Sequence, residues 1–129
     1  MKSFVRFSIL TLPTFDKELA KIISKYPDFR KTFEDFTKQL EINPEQGNHL
    51  GGGVFKVRIN IPGKPTGKRY GARVINAIFS ISKEILLLRI YDKSDVKDLT
   101  KEEEKAYRLM ANEIRKTKAK NTITRKNIR

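Results

Sequence analysis

The stretch GKPTGKRYGARVI, residues 63–75, gathers Lys64, Lys68, Arg69 and Arg73 and holds no acid. Cations at this density bind phosphate. A guanidinium offers a planar two-point contact and an ammonium a compact point charge. Just upstream, VFKVRINI (54–61) alternates, with Phe55, Val57, Ile59 and Ile61 on one face and Lys56, Arg58 and Asn60 on the other. Downstream, EILLLRIYDK sets Arg89, Tyr91 and Lys93 at one parity. A tyrosine among cations can stack on a base or donate to a phosphate. If these strands turn their apolar face to a core, the other face is a basic floor suited to a nucleic-acid backbone. Arg73 interrupts an otherwise apolar run. It either pairs with a carboxylate or reaches solvent, or it lines a cleft, and the clustering favours the cleft.

The charge distribution supports that reading. Net charge is +13 over 129 residues. Residues 46–83 hold seven Lys/Arg and no acid, residues 115–129 hold seven more and no acid, and the remainder is near neutral. Two such blocks point to a polyanion: nucleic acid, a membrane surface or an acidic protein. There is no cysteine, which excludes disulfides, thiolate metal sites and thiol catalysis and fits a reducing, cytoplasmic setting. Apolar runs are too short for a membrane span or a signal peptide.

The elements that must position these residues follow from periodicity. FVRFSIL (4–10) reads as a first strand. LPTFDKELAKIISKY carries Phe15, Leu19, Ile22 and Ile23 at helical spacing, with Thr14 as its cap after Pro13. Pro27 breaks the chain. A second helix carries Phe29, Phe33, Phe36 and Leu40 and ends near NPEQG, giving an αα-hairpin whose aromatic stripe packs on a sheet. NPEQGNHLGGG (43–53) reads as a loop; its three glycines lack the strand–loop–helix context and lysine of a phosphate loop. His49 is the only histidine and cannot build a histidine metal site alone, and the acids show no metal-ligand spacing. YGARVINAIFSI and EILLLRIYDK are further strands. In the last helix, DLTKEEEKAYRLMANEIRK, Thr100 and Glu103 fit a capping box. The expected fold is α+β, in the order β-α-α-β-β-β-α, with an antiparallel sheet packed against the αα-hairpin and a C-terminal helix. One domain would span 1–115, and 116–129 would be a basic, flexible tail.

The segments NPEQGNHLGGGVFKVRI, GKRYGARVI and LLLRIYDKSDVKDLTKEE, in this order and spacing, resemble the RelE/HigB group of toxins from bacterial type II toxin–antitoxin modules, within the RelE/ParE superfamily. The likeness covers residues 26–110. It implies a curved antiparallel sheet flanked by helices and an endoribonuclease that cleaves messenger RNA, in many members only on the ribosome. It also implies a cognate antitoxin that wraps the fold or covers the basic cleft. No cofactor, metal or membrane partner is implied. The resemblance implies catalytic roles for Lys68, Arg73, Tyr91 and Lys93; Lys56, Arg58, Lys64, Arg69 and Arg89 are the cations expected to bind RNA. Pro65 and Thr66 replace a glycine and a lysine common in relatives, and Tyr70 a glycine, so the turn is stiffer and one charge poorer. Some relatives carry a tyrosine or histidine after the fourth strand, where this chain has SDVKDL.

Metal-free RNA cleavage needs a base for the 2′-OH, an acid for the leaving 5′-oxygen and cations for the charge that develops on phosphorus. Lys68, crowded by like charges, is the expected base, with Tyr91, its pKa lowered by neighbouring cations, as the alternative. Arg73 would stabilise the transition state and Lys93 would be the acid. Two other readings use the same cations: a toxin of this fold that poisons a gyrase by contact, and a plain RNA- or ribosome-binding module.

Overall fold

The computed structural model describes residues 5–128, with side chains to Lys118. Its elements are β1 (Ser8–Thr11), α1 (Pro13–Lys25), α2 (Phe29–Ile42), β2 (Asn48–Gly51), β3 (Val54–Ile59), β4 (Ala72–Phe79), β5 (Glu84–Asp92) and α3 (Lys101–Ile128). The strands form one sheet in the order β1-β5-β4-β3-β2. The α+β class holds, and β3, β4 and β5 form the expected antiparallel meander.

Four local expectations are corrected. The segment read as a loop contains β2, which pairs antiparallel with β3 through the two-residue connection Gly52–Gly53. Both of these glycines have positive φ (59° and 77°), the backbone a tight hairpin requires. The first strand begins later than expected and pairs parallel to β5, so the sheet is mixed; Phe4 lies outside the described residues. Helix α1 is capped at Leu12 and not at Thr14, because Pro13 takes the first helical position, where a missing N–H costs nothing. The basic stretch 116–128 continues α3 as helix where a frayed tail was expected, and Arg129 lies outside the described residues.

Two apolar layers hold the sheet. On one face, Phe15 and Ile22 of α1 and Phe29, Phe33, Phe36 and Leu40 of α2 pack on Phe55, Val57, Ile59, Val74, Ile85, Leu87 and Ile90. On the other, Leu99 and Ala111, with Tyr107 and Ile114, pack on Val54, Ile75, Ala77, Phe79, Leu86 and Leu88. The second face is therefore not an open floor. Helix α3 roofs part of it, and its start is fixed by the expected capping box: Thr100 N donates to Glu103 Oε1 at 3.0 Å and Glu103 N to Thr100 Oγ1 at 3.1 Å.

A bulge on β5 sets which face its last side chains take. Ile75 pairs with Arg89 and Asn76 with Leu87, leaving Leu88 as the extra residue. Continuous pairing would have put Arg89 and Tyr91 beside Ile85 and Leu87 against the αα-hairpin. The bulge moves them to the face of Lys56, Arg58 and Arg73.

Phe33 is the hub of the aromatic layer, its ring 5.9 Å from Phe15, 6.2 Å from Phe29 and 6.0 Å from Phe36. Phe33→Ala should lower the unfolding free energy by about 3–5 kcal/mol, because neighbours on two helices cannot collapse into the space. Urea unfolding followed by circular dichroism reads this directly.

Candidate nucleic-acid interface

The part of the second face that α3 leaves open is a cleft of about 620 Å³ lined by Gln46, Gly47, Asn48, Lys56, Val57, Arg58, Lys68, Arg73, Lys93 and Asp98. Strand register builds its floor. Arg58 lies opposite Arg73, and Arg73 opposite Tyr91, so one row crosses three strands. In the next row Lys56 lies opposite Ile75, and Ile75 opposite Arg89. Like charges set directly opposite on a sheet repel. Five cations here meet a single carboxylate, which leaves the cleft strongly electropositive.

Arg73 is 6% exposed. Its Nη1 donates to Tyr70 O at 2.8 Å and to Ala72 O at 3.4 Å, and its Nη2 donates to Lys68 O. It therefore ties down the turn that carries Lys68, and part of its five-donor fork stays available. Burial pulls its pKa below the usual arginine value; Tyr91 opposes that pull, Arg58 adds to it and Asp98 opposes it. Gly71 starts β4 beside it with φ 85°, and a Cβ there would sit 2.7 Å from Ile59 O. Only glycine lets the turn pass this close to β3.

Three expected site residues are committed elsewhere. Lys64 Nζ lies 2.9 Å from Asp92 Oδ2 and 5.2 Å from the Tyr26 ring centre, and it does not line the cleft. Arg89 pairs with Glu103 at 3.1 Å and Glu18 at 3.4 Å and lies over the Tyr91 ring. Glu18 also accepts from Ile90 N at 3.2 Å, so it closes the outer edge of β5. Tyr91 is 4% exposed, and its buried hydroxyl has no hydrogen-bond partner among the described residues. Burial pushes its pKa up, Asp98 adds to the rise, and Arg73 and Arg89 only oppose it. The lowered pKa expected from neighbouring cations is thus reversed, because burial disfavours the phenolate more than the cations favour it. Lys68 and Arg69 lie exposed on the turn; Lys68 lines the cleft and Arg69 does not. His49 stands at the hairpin, stacked on Phe55 at 4.6 Å, with its Nε2 accepting from Gly53 N.

The sequence reading passed over Asp98. Asp92, at the end of β5, accepts from Ser94 N at 3.0 Å and Ser94 Oγ at 2.6 Å, which turns the chain back. That turn delivers Asp98 to the cleft, where its Oδ1 lies 2.7 Å from Lys93 Nζ and 4.0 Å from Lys56 Nζ. The bond from Lys93, with the charges of Lys93, Lys56 and Arg73, holds its pKa below the usual aspartate value. The available signal was an acid five residues beyond Lys93 and just before the capping box, one of three aspartates in 92–98, and spacing alone does not show where it lands.

The family model for the RelE toxin of the RelE/RelB toxin–antitoxin system matches residues 30–127. The chain belongs to the RelE toxin family. It is the toxin of a toxin–antitoxin module, and the matched residues include all of β2 to β5 and the whole lining of the cleft. Among the described residues no helix is long and apolar enough to cross a membrane.

The Lys64–Asp92 pair is nearly dry, with side chains 16% and 3% exposed. Burial alone would raise the Asp92 pKa, but Ser94 and Lys64 hold it below the usual value. A depressed carboxylate pKa contributes stability that is present above the unfolded value and lost as pH falls through the folded one. Lys64→Met should cost about 3–5 kcal/mol near neutral pH, because it leaves a buried charge unpaired. The gap from wild type should narrow as pH falls through and below the usual aspartate range and Asp92 is protonated. Urea unfolding across that range measures it.

Proposed function

We propose that this RelE-family toxin is an endoribonuclease that cuts messenger RNA, on the ribosome, by attack of a 2′-OH on the adjacent 3′-phosphate without a metal. The observation that carries the reading is the cross-strand row of Arg58, Arg73 and Tyr91. Among the described residues no carboxylate is bonded to the Arg73 guanidinium, which faces Arg58, and an RNA phosphate is the chemistry that would satisfy such a pair. Lys56, Arg58, Lys68 and the exposed Arg69 would follow the backbone. Arg73 would lie against the non-bridging oxygens as charge develops there, held in place by the turn carbonyls it binds. Lys93 would protonate the leaving 5′-oxygen.

The arrangement is sparse for a nuclease. Among the described residues the cleft has no histidine, and Tyr91 lies beneath its surface. Catalysis then depends on how the RNA is presented, and orientation by the ribosome would supply several kcal/mol of the barrier reduction. The partners on this reading are messenger RNA, the ribosome and an antitoxin that silences the cytoplasmic toxin. An acidic antitoxin segment would have the same cations to bind.

Primer extension on a defined message in cell-free translation, with and without ribosomes, tests this. Wild type should give new 5′ ends that require ribosomes. Arg73→Ala should fold and lose about 10²–10³ in rate, the usual cost of removing one preorganised donor to a developing oxyanion. Translation that stops with the message intact would refute the nuclease reading and favour a binding toxin.

A further inference from the structure

The reaction proposed above needs a group that takes a proton from the 2′-OH. Ammonium and guanidinium groups are donors with no acceptor. Five of the residues lining the cleft are such cations, Gln46 and Asn48 are neutral amides, and Asp98 is the carboxylate. His49 lies at the hairpin with its Nε2 already accepting from Gly53, and the Tyr91 hydroxyl is buried in protein. In Asp98, both neighbouring ammonium groups, Lys93 and Lys56, address Oδ1. The side chain is 65% exposed, so a substrate hydroxyl can reach the carboxylate at Oδ2, away from the two ammonium contacts at Oδ1.

We propose that Asp98 is the general base of this toxin, oriented by Lys93; this rests on the nuclease reading. Oδ2 takes the 2′-OH proton as the 2′-oxygen bonds to phosphorus. The phosphorus–O5′ bond breaks, and the leaving oxygen takes a proton from the Lys93 ammonium. The products are a 2′,3′-cyclic phosphate and a 5′-hydroxyl end. Proton exchange with solvent then returns Asp98 to the carboxylate and Lys93 to the ammonium, which resets the pair.

The charges around Asp98 support the assignment. Lys93 from the end of β5, Lys56 from β3 and Arg73 from β4 all face it, with the neutral Tyr91 beneath. They hold the carboxylate ionised well below neutral pH. That costs basicity, yet leaves all of the base in its working form throughout the physiological range.

The test is single-turnover cleavage of a defined message on programmed ribosomes by the full chain, its Asp98→Asn form and its Asp98→Glu form. Binding is measured in parallel with the same message 2′-O-methylated at the cut site. Asp98→Asn should slow cleavage by about 10²–10⁴-fold, the usual worth of a positioned base. It should bind the uncleavable message at least as tightly, because a negative charge has left a basic cleft. Asp98→Glu should keep part of the rate. Wild-type cleavage should be level between roughly pH 6 and 8, whereas a base with an ordinary lysine pKa near 10 would give about a tenfold rise per unit. Asp98→Asn within about threefold of wild type, or that steep rise in wild type, would overturn the assignment to Asp98 alone. A wild-type toxin that leaves the message whole would overturn the nuclease reading as well.

Discussion

Asp92 is a nearly buried carboxylate at the point where β5 ends, and both walls of the cleft hang from it. One oxygen bonds Lys64, which anchors the near end of the turn between β3 and β4. The other accepts the Ser94 amide and hydroxyl and starts the turn into α3. The first connection fixes the loop that carries Lys68 and Arg69, and the second brings Asp98 across from Lys93. A buried charge unpaired at this position would be severely costly, so the two turns are held as one unit. Arg73 adds a second tie, from the floor of the cleft to the carbonyls of the same loop.

The cleft is tense in a useful sense. Lys56, Arg58, Lys68, Arg73 and Lys93 converge on one basin, and Asp98 is the carboxylate among them. Exposed like charges are tolerated because water and salt screen them. A phosphate chain would relieve the repulsion more completely, with release of counterions. Cations not needed there are withdrawn into structure. Lys64 holds a turn, and Arg89 joins α1, β5 and α3 through Glu18 and Glu103. Cations alike in sequence pattern thus divide into those that line the cleft and those that hold the framework.

Helix α3 decides how large the site is. Its apolar residues cover Ile75, Ala77, Phe79, Leu86 and Leu88, and its capping box fixes where the cover begins. It also binds the hairpin: Arg108 donates to Leu50 O at 3.1 Å and Arg115 to Gly52 O at 3.0 Å. These bonds seat the β2–β3 hairpin, whose first residue Asn48, with Gln46 and Gly47 before it, forms one side of the cleft. One helix therefore closes the core, limits the basic surface and supports its rim.

The sequence by itself determined the strictly local features. Alternation in 54–61 assigned each face of β3 correctly, and the Phe29–Phe33–Phe36–Leu40 stripe assigned the packed side of α2. Thr100 and Glu103 announced the start of α3, and the basic positions Lys56, Arg58, Lys68, Arg73 and Lys93, which line the cleft, are legible as a cluster of cations. Periodicity and caps are settled within a few residues, by hydrogen bonds and burial inside one segment. The tertiary structure alone decided the rest. It made β2 from a glycine-rich stretch, laid β1 parallel to β5, and placed a bulge at Leu88 that turned Arg89 and Tyr91 to the second face. It gave Lys64 a partner 28 residues away and Arg89 one 71 residues away, buried the Tyr91 hydroxyl, and brought Asp98 among the cations. Each of these depends on register and on which charge lies opposite which after folding, and spacing along the chain does not contain that information.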